Sequence, residues 1–163
     1  MKFDVVHPYE ARLDTVLDAF FDENHIRAKN ERLGHRNVAV RENQRDDSAG
    51  KLVLEREMTT SVKVPGALSA FHREWNAVRQ EEHWFRKDAT EWHCEFRVRI
   101  DGVPAKIHGN MQLKGNGGVS ANHVSLDVYC DVPFLGKKIA QFLVDDMRYK
   151  LEQEYDATRG LLR

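Results

Sequence analysis

The chain has 163 residues, with 25 basic residues against 26 acidic ones and a formal net charge of −1. That length predicts one domain over 1–163, and the near-neutral balance gives no sustained field to recruit nucleic acid. No apolar run approaches the roughly 20 residues of a bilayer-spanning helix, the first residues enter a strand pattern instead of a secretory signal, and two cysteines are too few for a disulfide framework, so a cytoplasmic protein is expected.

Phe3, Val5 and His7 alternate with Asp4 and Val6, which predicts a first strand ended by Pro8. From about Tyr9, the residues Leu13, Val16, Leu17, Phe20 and Phe21 recur at i, i+3, i+4, predicting a helix with Pro8 at its start. After an interruption at 22–24 a second helix is predicted up to residue 33, with Gly34 as its cap. Segments 37–43 and 51–60 are strand-like, and the polar linker 44–50 between them forms a hairpin turn. Segment 64–76 breaks the alternation. Pro65-Gly66 is followed there by Leu68, Phe71 and Trp75 at helical spacing, so a short amphipathic helix or ordered loop is expected, a candidate lid.

Four strands follow as a meander, over 78–86, 91–101, 105–114 and 122–131. Trp92, Cys94, Phe96, Val98 and Ile100 share one face of the second, while Val124, Leu126, Val128 and Cys130 point inward from the fourth. Both cysteines keep step with apolar neighbours, which predicts buried free thiols. Asp101-Gly102 and the run 115–118 carry turn chemistry. Pro133 is expected to open the last element, a helix whose stripe is Ile139, Phe142, Leu143, Met147, Leu151, Tyr155 and Thr158. About 27 helical residues would run roughly 40 Å, the width of a sheet of this size.

The order of one strand, two helices, six strands and one long helix resembles the START-like superfamily, also called SRPBCC, helix-grip or Bet v 1-like, over residues 2–161. Three local features are similar to one bacterial family, domain of unknown function family 2505: the opening Phe3-Asp4-Val5-Val6-His7-Pro8-Tyr9, the strand Glu81-Glu82-His83-Trp84, and the tail Val132-Pro133-Phe134-Leu135-Gly136-Lys137-Lys138-Ile139. The resemblance implies an α+β fold in which a seven-stranded antiparallel sheet curves around the C-terminal helix, with a two-helix insertion after strand 1. It also implies an apolar cavity between sheet and helix. Superfamily members bind lipids, sterols, polyketides, plant hormones or other hydrophobic small molecules, and some catalyse cyclisation or related reactions. The closer family offers no activity or catalytic motif to carry over.

The residues themselves name no catalytic group. Eight histidines are scattered without metal-ligand spacing, so neither a metal site nor a cofactor is expected. There is no nucleophile elbow, and the run 115–118 lacks the Lys-Ser/Thr ending of a phosphate loop. Gln80, Glu82 and Trp84 share a face with Val78, but both faces of that strand are mixed. Inward, Glu82 is a buried ligand anchor or an acid/base group; outward, it is solvated. Arg56, in phase with Leu52, Leu54 and Met58, is a candidate partner for Glu82 across the strands. Phe71, Trp75, Phe96, Met111, Phe142 and Met147 are the apolar residues expected around a cavity, though each also suits plain core packing. The leading expectation is a carrier of a hydrophobic small molecule or lipid, with Arg56 and Glu82 as anchors and 64–76 as the gate through Leu68 and Phe71. No stable membrane insertion is expected. The alternatives are a small cyclase- or hydrolase-type enzyme using a cavity carboxylate or histidine, and an interaction protein with a filled core.

Overall fold

The computed structural model describes residues 1–162. The elements are β1 (Lys2–Tyr9), α1 (Leu13–Phe21), α2 (Glu23–Arg32), β2 (Arg36–Arg45), β3 (Ala49–Met58), a 3-10 segment (Gly66–Phe71), β4 (Asn76–Asp88), β5 (Glu91–Ile100), β6 (Lys106–Asn116), β7 (Val119–Tyr129) and α3 (Gly136–Leu161). The seven strands form one sheet in the order β1-β7-β6-β5-β4-β3-β2. Every neighbouring pair is antiparallel. This is the helix-grip, START-like α+β arrangement: α3 lies on the sheet's apolar face, and α1 and α2 fill the excursion between β1 and β2.

Alternation places the core. Leu52, Leu54, Trp84, Cys94, Phe96, Val124, Leu126 and Val128 are buried on the sheet face that meets Ile139, Leu143 and Val144 of α3. The opposite face carries charge, with Arg41, Glu55, Arg79 and Glu81 forming a ladder of ion pairs across β2, β3 and β4.

Three boundaries differ from expectation. Pro8 does not end β1; it pairs with Ala121, and Tyr9 continues the ladder opposite Ser120. A missing N–H is tolerated there because β1 is an edge strand, and α1 accordingly starts at Leu13 rather than near Tyr9. Nor does Pro133 open the last helix, which starts at Gly136 after a loop in which Phe134 has φ +67°. Gly136 is required for that approach, because a β-carbon on it would lie 2.4 Å from the Cys130 carbonyl oxygen. Much of the linker 44–50 is strand: the turn narrows to 46–48, where the Asp46 carboxylate accepts the Ser48 and Ala49 N–H groups. Gly34 closes α2 with φ +76°, as the cap requires.

Of the two thiols, Cys94 is buried but Cys130 is only partly so, lying past the end of β7 and donating to the Pro104 carbonyl at 2.9 Å. Burial pushes both thiols up, Cys94 strongly, which leaves them poor nucleophiles.

Candidate ligand cavity

The sheet and α3 do not meet everywhere. Between them lies a partly enclosed cavity of about 200 Å³, far more than the ~10–15 Å³ that one water molecule occupies. Its floor is made of inward side chains of β3, β4, β5 and β7, including Leu54, Val78, Phe96, Val98, Val124 and Leu126. Its roof is the α3 stripe, with Ile139, Phe142, Leu143, Met147 and Leu151. The segment after β3 covers one end, where Val64, Leu68 and Phe71 reach the cavity. Leu68 is buried and Phe71 is half-buried. The segment is pinned to the roof by Asp146 of α3, whose carboxylate accepts the Ser61 and Val62 N–H groups and pairs with Lys150.

One wall is polar. Glu82 points inward and is 6 % exposed. Its carboxyl accepts from Trp84 Nε1 at 2.8 Å and from Gln80 Nε2 at 2.6 Å. Trp84, 2 % exposed, is held by Phe20 and Phe21 of α1, with ring centroids 5.9 and 6.1 Å away. Burial raises the Glu82 pKa above its usual value, against the pull of the Trp84 and Gln80 hydrogen bonds and the Lys29 charge.

Arg56 does not pair with Glu82. The register sets Leu52, not Arg56, opposite Glu82, so the two residues stand about 13 Å apart along the strand direction. The Arg56 guanidinium instead bonds Asn30 Oδ1 at 2.8 Å, Gln80 Oε1 at 3.2 Å and Glu154 Oε1 at 3.0 Å. Gln80 thus bridges Arg56 to Glu82. Burial alone would raise the Glu154 pKa, but the Arg56, Lys29 and His35 charges outweigh it and hold the carboxyl below its usual range. His35, bonded to Asn30 Oδ1 at 2.8 Å, is pushed down to about 4 by burial and by the Arg56 charge.

At the β1 end, His7 stacks on Tyr155, with centroids 4.2 Å apart, and bonds Glu152 at 2.8 Å. Burial, with the nearby Tyr155 and Glu154, raises the Tyr9 phenol so that it stays protonated. On the β6–β7 wall, Asn122 donates to the Met111 sulfur at 3.4 Å. Two buried polar atoms of lining residues, Arg56 Nε and Asn122 Oδ1, have no hydrogen-bond partner among the described residues.

Of the residues singled out from sequence, Arg56, Leu68, Phe71, Glu82, Trp84, Phe96, Met111, Phe142 and Met147 all line this cavity. Trp75 does not. It lies outside, with the Arg36 guanidinium 4.0 Å above its ring, because the 3-10 segment stops at Phe71 and the chain is extended again before Trp75. Sequence reasoning missed Asn30, Glu154, His7, Tyr9, Lys29 and Asn122. Glu154 was discoverable, since it falls in the apolar stripe between Leu151 and Thr158. Among the described residues, no group of three His, Cys, Asp or Glu side chains is placed to hold a metal ion, and no helix is long and apolar enough to cross a membrane.

Comparison with known proteins gives a family and a fold. The family described as Protein of unknown function (DUF2505) matches residues 4–162. No curated protein matches the chain. Among solved structures, the protein TTHA0849 from Thermus thermophilus superposes with a TM-score of 0.67 at 11 % identity, over 99 % of this chain and 97 % of that one. Norcoclaurine synthase from Thalictrum flavum, in complex with dopamine and hydroxybenzaldehyde, gives 0.60 at 12 % identity, over 99 % and 86 %. A START superfamily protein from Mycobacterium smegmatis gives 0.54 at 12 % identity, over 99 % and 96 %. At these identities the likeness is one of fold.

Proposed function

The chain belongs to the family described as Protein of unknown function (DUF2505), and from that premise we propose that it is a single-domain carrier of a hydrophobic small molecule or lipid, acting in the cytoplasm. The observation that carries this reading is the cavity of about 200 Å³ between sheet and α3, apolar over most of its lining and polar on one wall. A packed core would have no use for such a space, because interiors otherwise pack to crystal density. A fold neighbour, norcoclaurine synthase, is seen with two small aromatic molecules, which agrees with small-molecule binding on this architecture.

Affinity and orientation come from different parts of the lining. Apolar burial contributes about 2.5 kcal/mol per 100 Å² of ligand surface removed from water, while association costs at least about 4 kcal/mol. The polar wall therefore matters for affinity as well as for direction. Glu82, Arg56 Nε and Asn122 Oδ1 offer hydrogen bonds to a ligand's polar end, while Phe96, Phe142 and Met147 hold its apolar body. Leu68 and Phe71 of the lid govern access.

Native mass spectrometry of the purified protein, with denaturing extraction, tests the reading. A hydrophobic molecule near one per chain is the expected result. Protein that arrives empty must then bind anilinonaphthalene sulfonate with unit stoichiometry, and Met147→Trp, which fills the cavity, must lower that affinity at least about tenfold. Stoichiometric binding untouched by Met147→Trp would place the ligand elsewhere and overturn the proposal.

A second reading has one specific observation behind it. Glu82 is a buried carboxyl with a raised pKa facing a cavity, the condition of a general acid. Turnover of a bound compound that disappears in Glu82→Gln, with binding intact, would make the protein an enzyme of the cyclase or hydrolase type.

A further inference from the structure

The loop before α3 lies outside the cavity lining. Phe134, at its tip, is 102 % exposed, and its φ of +67° is a left-handed conformation that a β-carbon disfavours. The projection is built rather than frayed. On one side Cys130 donates to the Pro104 carbonyl at 2.9 Å; on the other, the Gly136 N–H bonds the Val132 carbonyl at 2.8 Å. Val132 and Leu135 pack on the core, and Gly136 is buried against the Cys130 carbonyl. A rigid loop thus presents one large apolar side chain to solvent.

Its surroundings are cationic. Lys137 and Lys138 follow on the exposed first turn of α3, at the positive end of a 26-residue helix. Through Pro104 the loop touches the β5–β6 turn, whose Asp101 meets Arg73 at the end of the lid at 3.4 Å. Val103 of that turn, Leu68 and Phe71 of the lid and Ile139 of α3 line the cavity. Phe134 therefore stands at the lid end of the cavity. Lys63 and Lys106, also exposed there, make no ion pair among the described residues, nor do Lys137 and Lys138. Glu74 and Asp131 are the exposed acids of the lid and of the loop before α3 that make no ion pair among the described residues.

We infer that this end docks on an anionic lipid surface, with Phe134 entering the interfacial layer and Lys137 and Lys138 meeting headgroup phosphates. A bilayer interface accepts a lone aromatic side chain flanked by cations without a shaped pocket. A second copy of the chain, joined by a two-fold axis, would bring the same lysines against one another. One aromatic wedge with a few lysines gives weak, reversible attachment, as suits a protein that leaves the membrane again. The docking stands on this tip alone and goes beyond the carrier reading, which places the lid over the same surface.

Vesicle co-sedimentation of the full chain tests it, using phosphatidylcholine alone and phosphatidylcholine with one-third phosphatidylserine. The wild type should bind only the anionic vesicles, and salt near 1 M, where screening acts within about 3 Å, should release it. Phe134→Asn, which suits the left-handed backbone better than Phe, should weaken binding about tenfold. Lys137→Glu with Lys138→Glu favours the helix dipole, so it spares the fold, and should weaken binding at least about 25-fold, fivefold per lysine removed. In lipid-free solution, Phe134→Asn should take up anilinonaphthalene sulfonate as the wild type does, so failure of docking and failure of the carrier reading are separable. Absence of wild-type binding, or binding indifferent to Phe134→Asn, overturns the inference. So does a dimer in sedimentation velocity that Phe134→Asn dissolves.

Discussion

Arg56 is a buried cation whose charge is met by one carboxylate, Glu154, on the helix across the cavity. Removing that partner leaves the guanidinium buried and uncompensated, at a cost of about 3 kcal/mol, the low end of the usual range because Glu154 retains some contact with solvent. Urea unfolding of Glu154→Ala should show that loss, and Arg56→Met combined with Glu154→Leu should recover most of it. The neighbouring groups set opposite pH slopes. His35, held at about 4 against an ordinary 6.5, binds fewer protons folded than unfolded. Its contribution is present above about pH 6.5 and is lost as pH falls towards 4. Glu82, raised above 4.5, binds more protons folded, so its contribution is full below 4.5 and is lost as pH rises through its folded value. The stability difference between wild type and Glu82→Gln should therefore shrink as pH rises from 4.5, while that between wild type and His35→Gln should grow from pH 4 to 6.5. Unfolding measured across that interval checks both signs.

Among the elements, the lid closes its own turn through the Leu68 and His72 N–H groups, which bond the Pro65 and Ser69 carbonyls, and is tied to α3 where it leaves β3. Asp146 satisfies the Ser61 and Val62 N–H groups. Asp146→Ala should raise amide exchange over 60–72 and speed ligand release about tenfold, with the strands still protected. The lid's position was legible in the Pro65-Gly66 break; its anchor was not, because Asp146 is one acid among several on a helix. Strand β4 teaches a similar lesson. Val78, Gln80, Glu82 and Trp84 form one face and Arg79, Glu81 and His83 the other, so the pattern within β4 could not choose the face for Trp84. Pairing does choose it: Trp84 lies opposite Cys94 and Glu82 opposite Phe96, and those partners were already inward by the alternation of β5. The α3 stripe was legible throughout, because a 3.6-residue period needs no partner to be read. Asn30 left no trace, since its role depends on α2 meeting β3 in space.

For the molecule as a whole, carriage implies linkage between loading and stability. A ligand at 100 times its dissociation constant adds about 2.7 kcal/mol, which for a chain of this length raises Tm by about 5–10 °C. Melting of extracted and reloaded protein should show that shift, and Met147→Trp, with its affinity lowered about tenfold, should cut it by about half. The two sides of the cavity are built from different materials. The floor is a ladder of main-chain hydrogen bonds, indifferent to which side chains project from it, whereas the roof is held by side-chain packing. A scaffold divided in this way can exchange roof and floor residues while the ladder persists. A TM-score of 0.67 at a sequence identity of 11 % is what such a division of labour permits, one fold built from different side chains.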